Sequence, residues 1–107
     1  MNSQAGEAAA DDLLRAGGIE LSPRRREVVF AGRAVSLTKT EFELLRVLVE
    51  RPNQVFSREE LLRKVWGYQA TPTTRTVDTH ILQLRHKLAE GLFETVHGIG
   101  YRLREKK

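Results

Sequence analysis

The chain has 107 residues, enough for one small domain, with 18 Lys and Arg against 14 Asp and Glu and a formal net charge of +4. It contains no cysteine, which excludes disulfides and cysteine-ligated zinc and fits a reducing cytoplasm. No apolar run approaches the roughly 18 residues of a membrane span, and the N-terminus lacks the basic-then-apolar layout of a secretion signal, so no membrane partner is expected.

The charge is uneven along the chain. Residues 1–20 carry Glu7, Asp11, Asp12 and Glu20 against Arg15 alone, so the basic excess lies in the remainder. A basic domain behind an acidic leader suits a polyanionic partner, although ribosomal and merely soluble basic domains share that sign. Met1 to Gly17 is small, polar and acidic, with the run Ala8-Ala9-Ala10. It is expected to be a tail or linker (1–17), with a short helix around Asp11 to Arg15. The folded domain is expected over 18–107.

Ile19 and Leu21, Val28 and Phe30, and Val35 and Leu37 alternate in short runs separated by Ser22-Pro23 and Ala31-Gly32. That pattern predicts three strands in an antiparallel meander. Arg24, Arg25 and Arg26 fall in its first turn, either as a solvated hairpin tip or as a DNA contact.

Thr38-Lys39-Thr40-Glu41 reads as a capping box. It opens a helix that buries Phe42, Leu45, Leu48 and Val49 and ends before Pro52-Asn53. Val55-Phe56 is a short extended piece. Ser57-Arg58-Glu59-Glu60 is a second capping box, for a helix burying Leu61, Leu62, Val65 and Trp66 and stopped by Gly67. Trp66 is expected in the core, with its indole N–H at the rim. Tyr68 to Thr74 is a loop, with Thr73 or Thr74 as the next cap.

The third helix is the most informative segment. Val77, Ile81, Leu84 and Leu88 recur at i, i+4, i+7 and i+11, one apolar stripe that must be buried. The other faces carry Arg75, Thr76, Thr79, His80, Gln83, Arg85 and Lys87, and the one acid is Asp78. Arg and Lys neutralise phosphates, while Gln, Thr and Arg read base edges. Asp78 lies in the first turn, where its charge suits the helix dipole. Phe93 to His97 and Tyr101 to Leu103 then form a β-hairpin around Gly98-Ile99-Gly100. Strands, two helices, a loop, a third helix and a hairpin add up to an α+β winged helix-turn-helix: an N-terminal antiparallel sheet, three helices and a C-terminal hairpin wing.

Four motifs in this order resemble the winged-helix output domain of OmpR/PhoB-type response regulators. They are Leu37-Thr38-x-Thr40-Glu41-Phe42-x-Leu44-Leu45; Ser57-Arg58-Glu59-x-Leu61 with Val65-Trp66; Arg75-Thr76-Val77-Asp78-x-His80-Ile81-x-x-Leu84-Arg85-x-Lys87-Leu88; and Thr95-Val96-x-Gly98-x-Gly100-Tyr101-Arg102. The resemblance spans about Gly18 to Arg104. It implies a transcription factor domain behind a receiver domain, itself addressed by a sensor histidine kinase. Such a domain binds promoter DNA on direct repeats, commonly as a homodimer.

The recognition helix of that family matches Thr74 to Leu88. Its DNA contacts fall on Arg75, Thr76, His80, Gln83 and Arg85, with Thr79 and Lys87 on the same helix. The wing contacts fall on Thr95, His97 and Tyr101, with Arg102 beside them. Tyr101 remains open between wing packing and a DNA contact. The loop Gly67, Tyr68, Gln69, Ala70, Thr71, Pro72 and Thr73 is where such domains touch RNA polymerase. Two departures stand out. Leu82 and Gln83 occupy positions where some relatives carry Arg, which shifts the expected base preference from guanine towards adenine. His97 stands where Arg is common, so that wing contact is expected to weaken and to depend on pH.

Neither catalysis nor a cofactor is expected. Glu59 and Glu60 are explained by the cap, and Gly98-x-Gly100 is a hairpin turn rather than a nucleotide loop. His80 and His86 are six residues apart, on different faces of one helix, and cannot grip one metal ion together. Two alternatives stand beside the response-regulator expectation: a winged-helix protein-interaction module, and a stand-alone DNA-binding regulator without a receiver.

Overall fold

The computed structural model describes residues 13–67 and 73–105. Four strands, β1 (Leu14–Ala16), β2 (Ile19–Ser22), β3 (Glu27–Phe30) and β4 (Arg33–Val35), form an antiparallel sheet in chain order. Three helices follow, α1 (Lys39–Glu50), α2 (Arg58–Trp66) and α3 (Arg75–Lys87), with β5 (Phe56–Ser57) between the first two. A 3-10 turn at Glu90–Leu92 leads into β6 (Phe93–Val96) and β7 (Gly100–Leu103). The α+β winged helix-turn-helix expectation therefore holds.

The N-terminal sheet begins earlier than the sequence suggested. Leu14–Ala16 is a strand, not part of a short helix or a linker, and Ala16 pairs with Ile19. The physical reason is Gly17-Gly18. Both have positive φ, 59° and 84°, the backbone of a tight two-residue hairpin turn that only glycine adopts freely. The meander thus has four strands rather than three. Its first long turn carries Arg24, Arg25 and Arg26, all exposed. Arg26 is more than a solvated tip: its Nη1 lies 2.6 Å from Glu43 Oε2, and its guanidinium sits 4.3 Å over the Phe42 ring.

Both capping boxes form as expected. Thr38 Oγ1 accepts from the Glu41 amide and Glu41 Oε1 accepts from the Thr38 amide. Ser57 and Glu60 repeat the arrangement. Helix α3 differs. Thr74 occupies the cap position with φ −62° and ψ −17°, already helical, and its side chain makes no capping bond. The hydroxyl is not presented to the first-turn amides because the residue lacks the extended backbone a cap requires.

One core joins the layers. Ile19, Leu21, Leu44, Leu45, Leu48, Leu61, Val77, Ile81, Leu84 and Leu103 are fully buried within it. Leu62, Val65, Trp66 and Leu88 pack against it while remaining partly exposed, so α2 buries only Leu61 completely. Trp66 is accordingly a rim residue.

The wing is three-stranded. β5 pairs with β7, and β7 with β6, so the extended piece before α2 forms the wing's inner edge. At Gly100 the two backbones nearly touch: a Cβ there would lie 1.9 Å from the Phe56 carbonyl oxygen. Glycine is required at this point for space, not for φ.

Candidate nucleic-acid interface

Helix α3 presents distinct surfaces because successive residues turn about 100° around its axis. Val77, Ile81 and Leu84 are fully buried. Directly opposite, Arg75, Thr79, Leu82, Gln83 and His86 are exposed. One flank, with Asp78 and Arg85, meets the wing. The other, with His80 and Lys87, meets α2 and α1.

The wing flank is a closed network. Arg85 Nη2 donates to the Phe93 carbonyl at 2.7 Å and to Thr95 Oγ1 at 2.9 Å. Asp78 Oδ1 accepts from Arg58 Nε at 2.7 Å and from the Tyr101 hydroxyl. The Arg58 and Arg85 guanidiniums lie 5.3 and 5.9 Å from the Tyr101 ring centroid. Tyr101 is only 5% exposed. Burial and the bond to Asp78 push its phenol above its ordinary pKa, so at neutral pH it is a proton donor. Burial disfavours the Asp78 charge, but Tyr101 and Arg58 outweigh it and hold the carboxyl below its usual value. Four elements (α2, α3, β6 and β7) are thereby tied at one place.

On the other flank, Lys87 Nζ lies 2.7 Å from Glu41 Oε1, and that glutamate side chain is 2% exposed. Burial opposes the Glu41 charge, yet Lys87 and the Thr38 cap together keep the carboxyl below its ordinary pKa. His80 meets Trp66 edge-on, with ring centroids 5.0 Å apart. Its Nδ1 is 2.9 Å from the Thr76 carbonyl. A carbonyl only accepts, so the proton sits on Nδ1. Thr79 Oγ1 donates to the Arg75 carbonyl at 3.2 Å.

The candidates named from sequence thus divide. Arg75, Thr79 and Gln83 face outward from the helix, and His97 is exposed at the wing tip. Thr76 and His80 are half-buried at the edge of that face. Arg85 donates to Thr95, and Tyr101 is buried and donates to Asp78. Lys87 is engaged by Glu41, and Arg102 Nε by Glu94 Oε1 at 2.7 Å. In the loop segment, Gly67 ends α2 with φ 100° and Thr73 accepts from the Thr76 amide. Tyr68, Gln69, Ala70, Thr71 and Pro72 lie outside the described residues.

Two outward residues were not among the candidates, Leu82 and His86. The signal for them was present. Arg75, Thr79, Leu82 and His86 recur at i, i+4, i+7 and i+11, the spacing of the buried stripe rotated by half a turn. Ile99, 53% exposed, adds an apolar group at the wing tip beside His97. Among the described residues no His, Asp and Glu cluster is arranged to hold a metal ion, and no helix is long and apolar enough to cross a membrane.

Residues 32–103 match the family described as transcriptional regulatory protein, C terminal. The chain is 47% identical over 94 residues to transcriptional regulatory protein VxrB of Vibrio cholerae, covering 88% of this chain and 38% of VxrB. It spans less than half the length of the curated relatives it matches. Among solved structures, the DNA-binding domain of CpxR from E. coli superposes with a TM-score of 0.78 at 37% identity, covering 89% of this chain and 98% of that one. The DNA-binding domain of Klebsiella pneumoniae RstA, solved in complex with the RstA box, gives 0.77 at 28% identity, covering 86% and 96%.

Proposed function

This chain belongs to the family of OmpR/PhoB-type C-terminal DNA-binding domains of transcriptional regulatory proteins, and from that membership we propose how it engages DNA. Helix α3 lies in a major groove, with Arg75, Thr79 and Gln83 facing the bases and phosphates and with Thr76 and His80 at the edge. Gln83 pairs with an adenine through N6 and N7. The wing lies along the neighbouring minor groove and backbone, led by His97 at its tip. Arg85, Thr95 and Tyr101 fix the angle between helix and wing. Arg102 and Lys87, each sharing its charge with a carboxylate, add positive potential near the phosphates.

One observation carries this proposal. The outward face of α3, directly opposite its buried stripe, holds Arg75, Thr79, Gln83 and His86 and no carboxylate. The acid of the helix, Asp78, is turned to the wing and engaged there. A merely solvated face would interleave acids with bases.

The relatives' greater length supports a further part of the proposal. The chain acts as the output domain of a cytoplasmic bacterial response regulator, whose receiver answers a sensor histidine kinase. It occupies direct repeats in promoter DNA as a homodimer and meets RNA polymerase through the 67–73 loop. It performs no catalysis and needs no cofactor.

The test is selection from a random double-stranded DNA library, followed by titration of the selected site against salt. The expected result is a short repeated motif whose affinity falls steeply with salt, as phosphate contacts require. No enriched motif and weak binding at low salt overturn the proposal in favour of a protein-interaction module, the alternative to which the exposed Leu82 lends some weight.

A further inference from the structure

Leu82 sits at the middle of α3 and is 49% exposed, with Thr79 and His86 above and below it and Gln83 beside it. Every other large aliphatic residue of the helix is packed into or against the core. Among the described residues Leu82 is not packed against the core, and it leaves half of an apolar side chain at the centre of an otherwise polar outward face. Exposed apolar area of this kind is stabilised only when something apolar covers it.

We infer that Leu82 is a specificity-determining residue that reads the C5-methyl group of a thymine in the major groove, next to the base pair read by Gln83. The inference rests on the proposed placement of α3 in that groove. Its physical basis has two sides. The thymine methyl is the one apolar group that base edges display in the major groove, and leucine complements it. Leucine can neither donate nor accept a hydrogen bond. Set against a G·C pair, it desolvates the guanine N7 and O6 and the cytosine amino group without recompense. The same residue therefore favours thymine and penalises G·C. The next position, Gln83, pairs with adenine, so the two neighbours together select consecutive A·T pairs in a defined strand order.

The experiment uses the chain and its Leu82→Ala variant on the selected DNA site. Thymines are replaced one at a time by deoxyuridine, which removes only the methyl group. Leu82 is exposed and alanine favours helix, so the variant folds. The expected result is one thymine per half-site whose replacement weakens binding about three- to fivefold, the effect of one apolar group losing its cover. In Leu82→Ala that sensitivity disappears, while the preference set by Gln83 and the salt dependence stay unchanged. A motif whose thymines all tolerate deoxyuridine, or a sensitivity that persists in Leu82→Ala, overturns the inference and leaves sequence-specific binding standing. A chain that enriches no motif overturns the groove placement itself.

Discussion

The Tyr101 hydroxyl donates to Oδ1 of Asp78, and this contact joins the wing to the first turn of the helix proposed to read DNA. The same oxygen accepts from Arg58 at the start of α2. Tyr101→Phe removes the hydrogen bond and keeps the ring. We expect a loss of about 1–2 kcal/mol in stability, measured by urea denaturation. The salt dependence of DNA binding should be unchanged, because Tyr101 holds the joint rather than a phosphate. A flatter salt slope with unchanged stability would return Tyr101 to direct contact with DNA.

Gly100→Ala tests the base of the wing. The added Cβ would lie 1.9 Å from the Phe56 carbonyl oxygen, a backbone atom with no freedom to rotate away. Separation of β5 from β7 follows, at a cost of about 3 kcal/mol. Thermal denaturation followed by circular dichroism reads this as a fall in Tm of several degrees or more. Gly32→Ala offers the contrast. Nothing lies near its Cβ, and its cost comes only from its positive φ of 80°.

Glu41 and Lys87 set a pH dependence. The folded-state pKa of Glu41 lies below its ordinary value. Its contribution is therefore complete above the unfolded pKa and is lost as pH falls through the acid range below about 4. Lys87→Met leaves a buried carboxylate in which burial is opposed by the Thr38 cap alone, so its pKa rises relative to the parent protein. The destabilisation should be about 1 kcal/mol or more at pH 7, discounted for the partial exposure of Lys87, and should shrink towards pH 3. Equal losses at both pH values in urea denaturation would show that the pair acts only through packing.

Two substitutions separate base reading from phosphate contact. Gln83→Ala should relax preference at one base pair and leave the salt slope nearly unchanged. Arg102→Ala should weaken all sequences alike and flatten the slope by about one unit. Because Arg102 is paired with Glu94, the flattening should be greater when Arg102→Ala is made in a Glu94→Gln background. Binding isotherms at several salt concentrations on matched and scrambled duplexes decide both.

Local features of the fold were open to inspection in the sequence. The two capping boxes involve partners three residues apart, and the buried stripe of α3 needs only the helical period. The missing strand, β1, was hidden because Gly17-Gly18 reads equally as a domain boundary and as a tight hairpin turn, and only the pairing of Ala16 with Ile19 decides. The site was less legible. Residue type marked Arg85 and Lys87, and the family resemblance marked Thr95, Tyr101 and Arg102, as candidates for DNA, yet the fold gives each an internal partner. Lys87 finds Glu41 across 46 positions and Tyr101 finds Asp78 across 23. Such choices depend on how distant elements pack. Leu82 and His86 also lie on the outward face by the helical period, but the family resemblance places no DNA contact on either position, so neither was a candidate.

β7 is hydrogen-bonded on both sides, to β6 and to β5, and its Tyr101 is anchored to α3. The wing is therefore held at its root by hydrogen bonds to two strands and a helix, and helix and wing form a caliper. In the proposed complex, a duplex that meets both jaws supplies part of the adjustment itself. Pliable pyrimidine–purine steps between the two contacts yield with less elastic work than stiff A-tracts. In that proposed complex, base pairs that no side chain touches would enter the selection through their mechanics.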